Sequence, residues 1–484
     1  MSRLRGDRGA GNVERSGVSV TRRDVLRVGS LALGATAWPG MTAGQVLASE
    51  REEAPAKSVI VLWMAGGVTH LDSFDPKPDA PEIVRGALDT IATTLPGVGF
   101  AESMPRMARA AHRISLVRSF SHDNNDHFQS QAYALSGRKV AMNQITTEPN
   151  VGSIVSYLLG PRASLPGYIT VPGITRPGPP PHNLFVGGWL GEACAPFSVG
   201  GEPAEPDFTK GLGRDSDRPG SLEDNLRPEP LTFPAGLNEP RLARREGLRA
   251  LTERAVRSAD ASGVLGAMES HYRGAFSLLA SAEVRRAFDL AREPETVRAA
   301  YGRTKLGGRC LLARRLVEAG ARFVLVDYGY DPDYGNLWDN HCVPEQRQPH
   351  ISEMAKRPYH LAGMDRAFAA LLDDLAARGL LDSTLVVFLT EFGRTPRINS
   401  NGGRDHWGAA GSIFFAGGGA VSGAVIGATD KQAAFPTGRG YSHGDIAATI
   451  YRALRIRPET MLHDRLGRPF PVLPEGEPIP GVLA

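Results

Sequence analysis

The sequence STLVVFLTEFGRTPRINSNGGRDHWG, residues Ser383 to Gly408, gives the clearest indication of the fold. Its apolar run Leu385–Leu389 is rich in β-branched and aromatic residues, which predicts a buried strand. In an open α/β sheet, ligands bind in the crevice beyond the carboxyl ends of the strands. We therefore expect Glu391 and Arg394, which follow this strand, to lie in such a crevice, and the glycine-rich loop to bring His406 back over it.

Other apolar runs in the chain end in polar residues in the same way. They are Lys57–Met64 followed by His70 and Asp72, Ile114–Phe120 followed by His122, Asp126 and His127, and Arg322–Asp327 followed by Asp339 and His341. A lone histidine or aspartate after a strand is more often a cap or a turn residue than a ligand. Recurrence at several strand ends is the informative observation, and it predicts that these side chains meet at one edge of a sheet.

Strand and helix patterns alternate along most of the chain. Leu361–Ala377 and His443–Leu454 have the apolar spacing of helices that cover a sheet. This alternation predicts an α/β fold with a mostly parallel central sheet and helices on both faces. We expect a single domain over residues 49–484, interrupted by an irregular proline- and glycine-rich insertion at about residues 172–238.

Composition limits the possible partners. The 484 residues are 42% hydrophobic and 22% charged, which is ordinary for a globular protein with a substantial core. The net charge is only +3 and the mature part has no long basic block, so nucleic acid is not expected as a partner. The chain contains 3 cysteines, Cys194, Cys310 and Cys342, whose pairing the sequence leaves open.

The first 48 residues have the organisation of an export signal. Thr21–Arg27, TRRDVLR, is close to a twin-arginine motif and is followed by a moderately apolar segment and small-residue cleavage sites. The apolar segment is too short to span a bilayer well. We therefore predict export through the Tat translocase, a mature chain beginning near Ser49 without a transmembrane segment, and a periplasmic or extracellular location.

The residue types at the strand ends favour a divalent metal site. Carboxylate oxygen and imidazole nitrogen together suit Zn²⁺ or Mn²⁺, and with fewer histidines they suit Mg²⁺ or Ca²⁺, so the ion stays open. Such an ion would polarise a phosphoryl or sulfuryl oxygen. The candidate metal ligands are Asp339, His341, Glu391, His406, Asp72 and His70, and the candidate catalytic residues are His127, Arg394 and His122.

Several motifs together resemble an exported bacterial family known as domain of unknown function fifteen-oh-one, over nearly the whole mature chain. They are AGGVTHLDSFDPKP (Ala65–Pro78), SHDNNDHF (Ser121–Phe128), WDNH (Trp338–His341), TEFGRTPR (Thr390–Arg397), GRDHW (Gly403–Trp407) and GATDK (Gly427–Lys431). That family is placed in the alkaline phosphatase and sulfatase-like superfamily. The resemblance implies a metal site at the carboxyl edge of the sheet, with Asp339, His341, Glu391 and His406 as ligands.

The chain departs from the superfamily pattern at three positions. Ala65 and Gly66 stand where an aspartate ligand usually follows the first strand, and Phe392 stands where a histidine usually follows the later acidic residue. His127 falls near the position of the sulfatase nucleophile. Two functions are therefore kept: a metal-dependent hydrolase of phosphate or sulfate esters of small molecules or glycans, and a non-catalytic envelope binding or scaffold protein that retains the fold.

Overall fold

The core of the molecule is an eight-stranded sheet in a computed structural model that describes residues 54–173, 184–200, 226, 241, 244, 281–331, 334–464 and 466–484. The predicted export signal and most of the predicted insertion lie outside these residues. The strands of the sheet are β1 Ser58–Trp63, β2 Ile114–Phe120, β3 Tyr168–Val171, β4 Phe197–Ser198, β5 Phe323–Asp327, β6 Thr384–Leu389, β7 Gly411–Ala416 and β8 Val425–Ile426.

The strand order is β8-β2-β7-β6-β1-β5-β3-β4, with β1 at the centre. All adjacent pairs are parallel except those of β7, which runs antiparallel to both β6 and β2. The prediction of a mostly parallel sheet is therefore confirmed. Since β7 is reversed, its first residue lies beside the last residue of β2, as the Gly411–Phe120 pairing shows.

Helices cover both faces of the sheet, as predicted. Alternate residues of β1 face opposite sides: Ile60 and Leu62 belong to one apolar core, and Val61 and Trp63 to the other. Burial on both faces explains why the strands read as continuous apolar runs. The helices are α1 Glu82–Arg85, α2 Pro105–Ala110, α3 His127–Ser136, α4 Val151–Leu159, α5 Ala282–Ala287, α6 Glu295–Tyr301, α7 Lys305–Glu318, α8 Ile351–Ala355, α9 Leu361–Ala377 and α10 His443–Ala453.

Helices α2, α7 and α9 pack on the first of these cores, and α3, α4 and α10 pack on the second. Within the described residues, 54–484 form one compact unit. No helix among them is long and apolar enough to cross a membrane. Short two-stranded ribbons decorate the sheet: Thr90–Ala92 with Gly99–Ala101, Tyr330–Asp331 with Gly335–Asn336, Gly393–Arg394 with His406–Trp407, and Met461–His463 with Pro469–Pro471.

The strand register brings the polar strand ends to one edge. Trp63 at the end of β1 pairs with Leu389 at the end of β6 and with Asp327 at the end of β5. The end of β2 lies at the same edge through its pairing with Gly411. The loops that follow β1, β2, β5 and β6, and the loop that precedes β7, therefore start from neighbouring positions.

Candidate metal centre

Two glycines after β1 allow the loops at this edge to approach closely. Gly66 and Gly67 have φ angles of 123° and 92°, which side-chain-bearing residues rarely adopt. A Cβ atom on Gly66 would lie 2.9 Å from the backbone nitrogen of Asp339, and one on Gly67 would lie 2.7 Å from the Phe392 ring. The turn after β1 thus presents bare backbone to the Asp339 loop and to the Phe392 ring.

Asp339 is the centre of the site. Its Oδ1 atom lies 3.0 Å from His341 Nε2, 3.0 Å from His406 Nε2 and 3.3 Å from His127 Nε2. The Nε2 atoms of His341 and His406 are 2.9 Å apart. The side chains of these residues keep between 13% and 24% of their surface exposed, although the Nε2 atom of His127 itself is buried. Below, these four residues are called the Asp339 cluster.

The second ring nitrogen of each histidine faces an acceptor outside the cluster. His127 Nδ1 lies 2.6 Å from Glu391 Oε1, His341 Nδ1 lies 2.8 Å from Asp405 Oδ1, and His406 Nδ1 lies 2.9 Å from the Asn125 carbonyl oxygen. Acceptors at these positions favour the tautomer with hydrogen on Nδ1. That tautomer leaves the Nε2 lone pairs directed at the cluster, which is the arrangement of metal-binding histidines.

Local structure fixes the direction of His127. It is the first residue of α3, and Asp126 caps this helix by accepting from the backbone N–H groups of Phe128 and Gln129 at 2.9 and 3.2 Å. Asp126 therefore serves the helix terminus and not the Asp339 cluster. Gln131, one turn along the same face, donates to Glu391 Oε1 at 3.1 Å. Sequence reasoning missed Gln131, although its spacing of four residues from His127 indicates a shared helix face.

The charges in the cluster are strongly coupled. Burial opposes the charged form of His127, but its hydrogen bonds to Asp339 and Glu391 outweigh burial and raise its pKa to about 9. Burial also opposes the charge of Asp339, yet the facing imidazoles and the Arg394 guanidinium hold its pKa well below the usual range. Burial lowers the pKa of His406 despite its bond to Asp339. A carboxylate that stays ionised beside imidazoles is a suitable cation ligand.

The donor set fits a divalent ion. Ligand atoms of His127, Asp339 and His406 all lie within 4.8 Å of one another. Four ligands at the usual zinc distances form a tetrahedron with edges of about 3.3 Å. The distances from Asp339 Oδ1 to the three histidine Nε2 atoms, 3.0 to 3.3 Å, are close to that value, as is the 2.9 Å between the Nε2 atoms of His341 and His406. Nitrogen-rich donors of this kind suit Zn²⁺ or Mn²⁺ better than Mg²⁺ or Ca²⁺.

Glu391 contacts His127 from the buried side of the Asp339 cluster. It is fully buried, and its Oε2 accepts the Gly66 N–H at 2.7 Å while its Oε1 accepts from His127 and Gln131. Its carbonyl oxygen lies 2.6 Å from His122 Nε2 and 2.9 Å from His443 Nε2. The ring of His122 is thus directed at the backbone. Its pKa is lowered by burial, so the ring is neutral at neutral pH.

His70 and Asp72 are not brought to the cluster. Asp72 is buried and binds Arg404 through both carboxylate oxygens, at 2.7 and 3.2 Å. It also accepts from Thr69 Oγ1 at 2.7 Å. His70 is buried as well, and its Nε2 lies 2.8 Å from the Ala433 carbonyl oxygen. These two predicted ligands are therefore engaged within the protein interior.

Arg394 is placed at the cluster but is buried. Its guanidinium lies 2.8 Å from Asp339 Oδ1 and donates to the carbonyl oxygens of Gly67 and Arg404 at 2.9 and 3.0 Å. The side chain is 1% exposed. Such a group balances the charge of Asp339 and joins the loops. Trp338, next to Asp339, is also buried and donates from Nε1 to the Tyr328 carbonyl, which makes it a packing residue.

Comparisons with known proteins give one family and several distant structures. The model of a family described as a protein of unknown function (DUF1501) matches residues 56–483. No curated protein matches the chain. Among solved structures, PsFucS1 sulfatase from Pseudoalteromonas sp. is 14% identical with a TM-score of 0.35, covering 90% of this chain and 72% of its own.

Two further structures have the same level of similarity. Phosphonate monoester hydrolase SpPMH from Silicibacter pomeroyi is 11% identical with a TM-score of 0.35, covering 84% of this chain and 74% of its own. A mutant of TAB5 alkaline phosphatase is 12% identical with a TM-score of 0.32, covering 84% of this chain and 100% of its own. Similarity of this size does not assign a reaction to this chain.

Proposed function

This chain belongs to the DUF1501 family, and on that premise we propose that it is an exported metal-dependent hydrolase of phosphate or sulfate esters, carried by small molecules or glycans. The observation that carries the proposal is the Asp339 cluster. Three imidazole Nε2 atoms converge on one carboxylate oxygen, and each ring has an outer acceptor on Nδ1. Hydrogen-bonded loop networks do not require three histidines to share one centre.

In this proposal His127, Asp339 and His406 hold the ion, and His341 lies beside them as a fourth donor. A bound divalent ion polarises an ester oxygen and lowers the pKa of water. The protein supplies the rest. Arg394 balances the charge of Asp339 from the buried side. The partial exposure of the histidines leaves the outward side open to an oxyanion of a substrate.

One experiment tests the metal and the activity together. The mature chain, purified without chelator, is analysed for bound metal and assayed on panels of aryl phosphates and aryl sulfates. We expect about one equivalent of a divalent ion and turnover of at least one panel. His406→Ala should lose both, because it removes a ring nitrogen from the cluster. Protein without metal, or activity unchanged by His406→Ala, would contradict the proposal.

A non-catalytic binding or scaffold role is the second candidate, and one feature favours it. Ala65, Gly66 and the Phe392 ring occupy positions where the superfamily pattern has ligands, and Phe392 packs 4.6 Å from the His406 ring, centroid to centroid. A site with one ion lacks the paired clamp of two-metal hydrolases. Tight retention of phosphate or sulfate esters without turnover on broad panels would favour this role.

Export is proposed from the leader alone. The twin-arginine motif and the apolar segment behind it direct the folded chain to the Tat translocase, so the protein would work in the periplasm or outside the cell. Replacing Arg22 and Arg23 by lysine should retain the precursor inside the cell, as seen by fractionation. Mature chain of the lysine variant found outside the cytoplasm at the wild-type level would contradict the proposal.

A further inference from the structure

Glu391 is buried between His127 and the loop that follows β1, and both of its carboxylate oxygens have hydrogen-bond donors. One carboxylate oxygen accepts the Gly66 N–H at 2.7 Å. The other accepts from His127 Nδ1 at 2.6 Å and from Gln131 Nε2 at 3.1 Å. Both oxygens therefore already have donors of their own. An acid that ligates an ion needs a lone pair directed at the ion, whereas the oxygens of Glu391 are directed at N–H groups.

We propose that Glu391 is a positioning residue for the Asp339 cluster and not a ligand within it. It holds the His127 ring with hydrogen on Nδ1, so that Nε2, 3.3 Å from Asp339 Oδ1, is the nitrogen that gives up its proton and presents a lone pair to the ion. This inference rests on the proposed metal site and assigns Glu391 a different role from the one that the sequence predicts. Outer carboxylates of this kind fix both the tautomer and the orientation of a metal-binding histidine.

The backbone at Glu391 is held as firmly as its side chain. His122 and His443 both direct Nε2 at the Glu391 carbonyl oxygen, at 2.6 and 2.9 Å. A carbonyl oxygen only accepts, so both rings carry hydrogen on Nε2. The rings lie 4.9 Å apart, centroid to centroid. Two imidazole donors on one carbonyl thus fix the Glu391 backbone, while the donors to its carboxylate fix the direction of the side chain.

The isosteric change Glu391→Gln separates the two roles. A glutamine offers one acceptor oxygen and one amide nitrogen that only donates. The Gly66 N–H can only donate, so the amide oxygen should turn to it and the amide nitrogen should face His127. The ring must then accept at Nδ1 and carry its hydrogen on Nε2. That hydrogen occupies the lone pair that would bind the ion, although no ligand has been removed.

The experiment measures zinc affinity by chelator competition, zinc content by elemental analysis, and the zinc coordination shell by X-ray absorption. We expect Glu391→Gln to weaken zinc binding by about 10- to 100-fold, the usual effect of losing an outer-shell partner. At saturating zinc, this variant should still load fully, and the number of atoms that coordinate the zinc should be unchanged. The matched control Gln131→Leu removes only the weaker donor to the same oxygen and should cost less than about fivefold.

A metal-free measurement keeps the test independent of the proposed function. In crystals of the metal-free Glu391→Ala variant, we expect the His127 ring to leave the direction of Asp339 or to take more than one rotamer. A His127 ring unmoved there would overturn the inference. The loss of one zinc-coordinating oxygen in Glu391→Gln would also overturn it. So would an unchanged zinc affinity of that variant together with a lower melting temperature. Absence of zinc from the wild-type protein would instead overturn the proposed function.

Discussion

Asp339 and Asp72 lie in loops at the same edge of the sheet, yet their surroundings differ. Asp72 is 1% exposed and faces one arginine, Arg404, in a two-point ion pair. Asp339 keeps 19% of its side chain exposed and faces one arginine and three imidazoles. The first arrangement is balanced and closed to water. The second has more donors than one carboxylate needs, and it opens outward, so only the second is suited to hold an ion.

The largest expected effect comes from Asp339→Asn, since the amide keeps the shape and loses the charge. We expect zinc affinity to fall by at least about 1,000-fold, roughly 4 kcal/mol, because an anionic ligand is lost at the centre of the cluster. Zinc competition and elemental analysis measure the loss. Retention of zinc within tenfold of the wild type would show that the ion does not depend on Asp339.

The same substitution at Asp72 should lower the stability of the protein and leave zinc binding unchanged. Asp72→Asn leaves the Arg404 guanidinium buried without its partner charge, and breaking such a pair typically costs about 3–5 kcal/mol. Urea unfolding of the metal-free protein measures this loss of stability. Zinc content should remain at the wild-type level. A drop in zinc content at unchanged stability would instead return Asp72 to the ligand set that the sequence predicts.

Zinc binding should weaken in acid over a range set by His127. The pKa of this ring is raised above the usual 6.5 to about 9, so the metal-free ring carries a proton at neutral pH, and the ion must displace it. The pKa of His341 is also raised, although burial opposes its charge. Each displaced proton changes apparent affinity by about tenfold per pH unit below the pKa.

We therefore expect affinity to increase by at least about tenfold per unit between pH 7 and pH 8.5. Calorimetry in buffers of different ionisation enthalpy should show proton release on binding. For the metal-free protein the sign is reversed: the contribution of His127 to stability is complete below pH 6.5 and is lost as pH rises through about 9. Affinity that does not change over this range would contradict the arrangement.

The smallest effect is expected at Asp405, which accepts from His341 Nδ1 at 2.8 Å but keeps 52% of its side chain exposed. Water can replace an exposed acceptor, and solvent screens its charge. Asp405→Asn should therefore weaken zinc binding by less than about fivefold. A loss as large as that of Glu391→Gln would show that exposure does not separate the two outer carboxylates.

Sequence patterns predicted the sheet well because strands that are buried on both faces consist of continuous apolar runs, which can be recognised in the sequence. The strand Ile114–Phe120 and the helix Leu361–Ala377 have the predicted bounds. The direction of β7 was not predicted, because an apolar run identifies a strand and not its orientation. That orientation depends on the Gly393–Arg394 and His406–Trp407 ribbon, whose pairing joins residues on either side of a polar loop.

The site was only partly predictable for a related reason. In the structure, loops that follow strand ends bring His127, Asp339, His341 and His406 together. Proximity to a strand end did not tell which way a side chain would face within a glycine turn. The partner that engages Asp72 is Arg404, 332 positions away along the chain. No local pattern records such a pairing, so the sequence could not separate Asp72 from Asp339.

The antiparallel course of β7 also bears on the order in which the Asp339 cluster is completed as the chain is made. It sets the loop carrying His406 at the edge where β2 ends and from which the Asp339 loop departs. The four residues of the Asp339 cluster span positions 127 to 406, so a nascent chain that ends before the ribbon strand His406–Trp407 lacks one of them. Under the proposed function, all four donors are present for an ion only after most of the chain has been made. In a purified preparation, the fraction of molecules with a bound ion would then report how many have brought the His406 loop against the Asp339 loop.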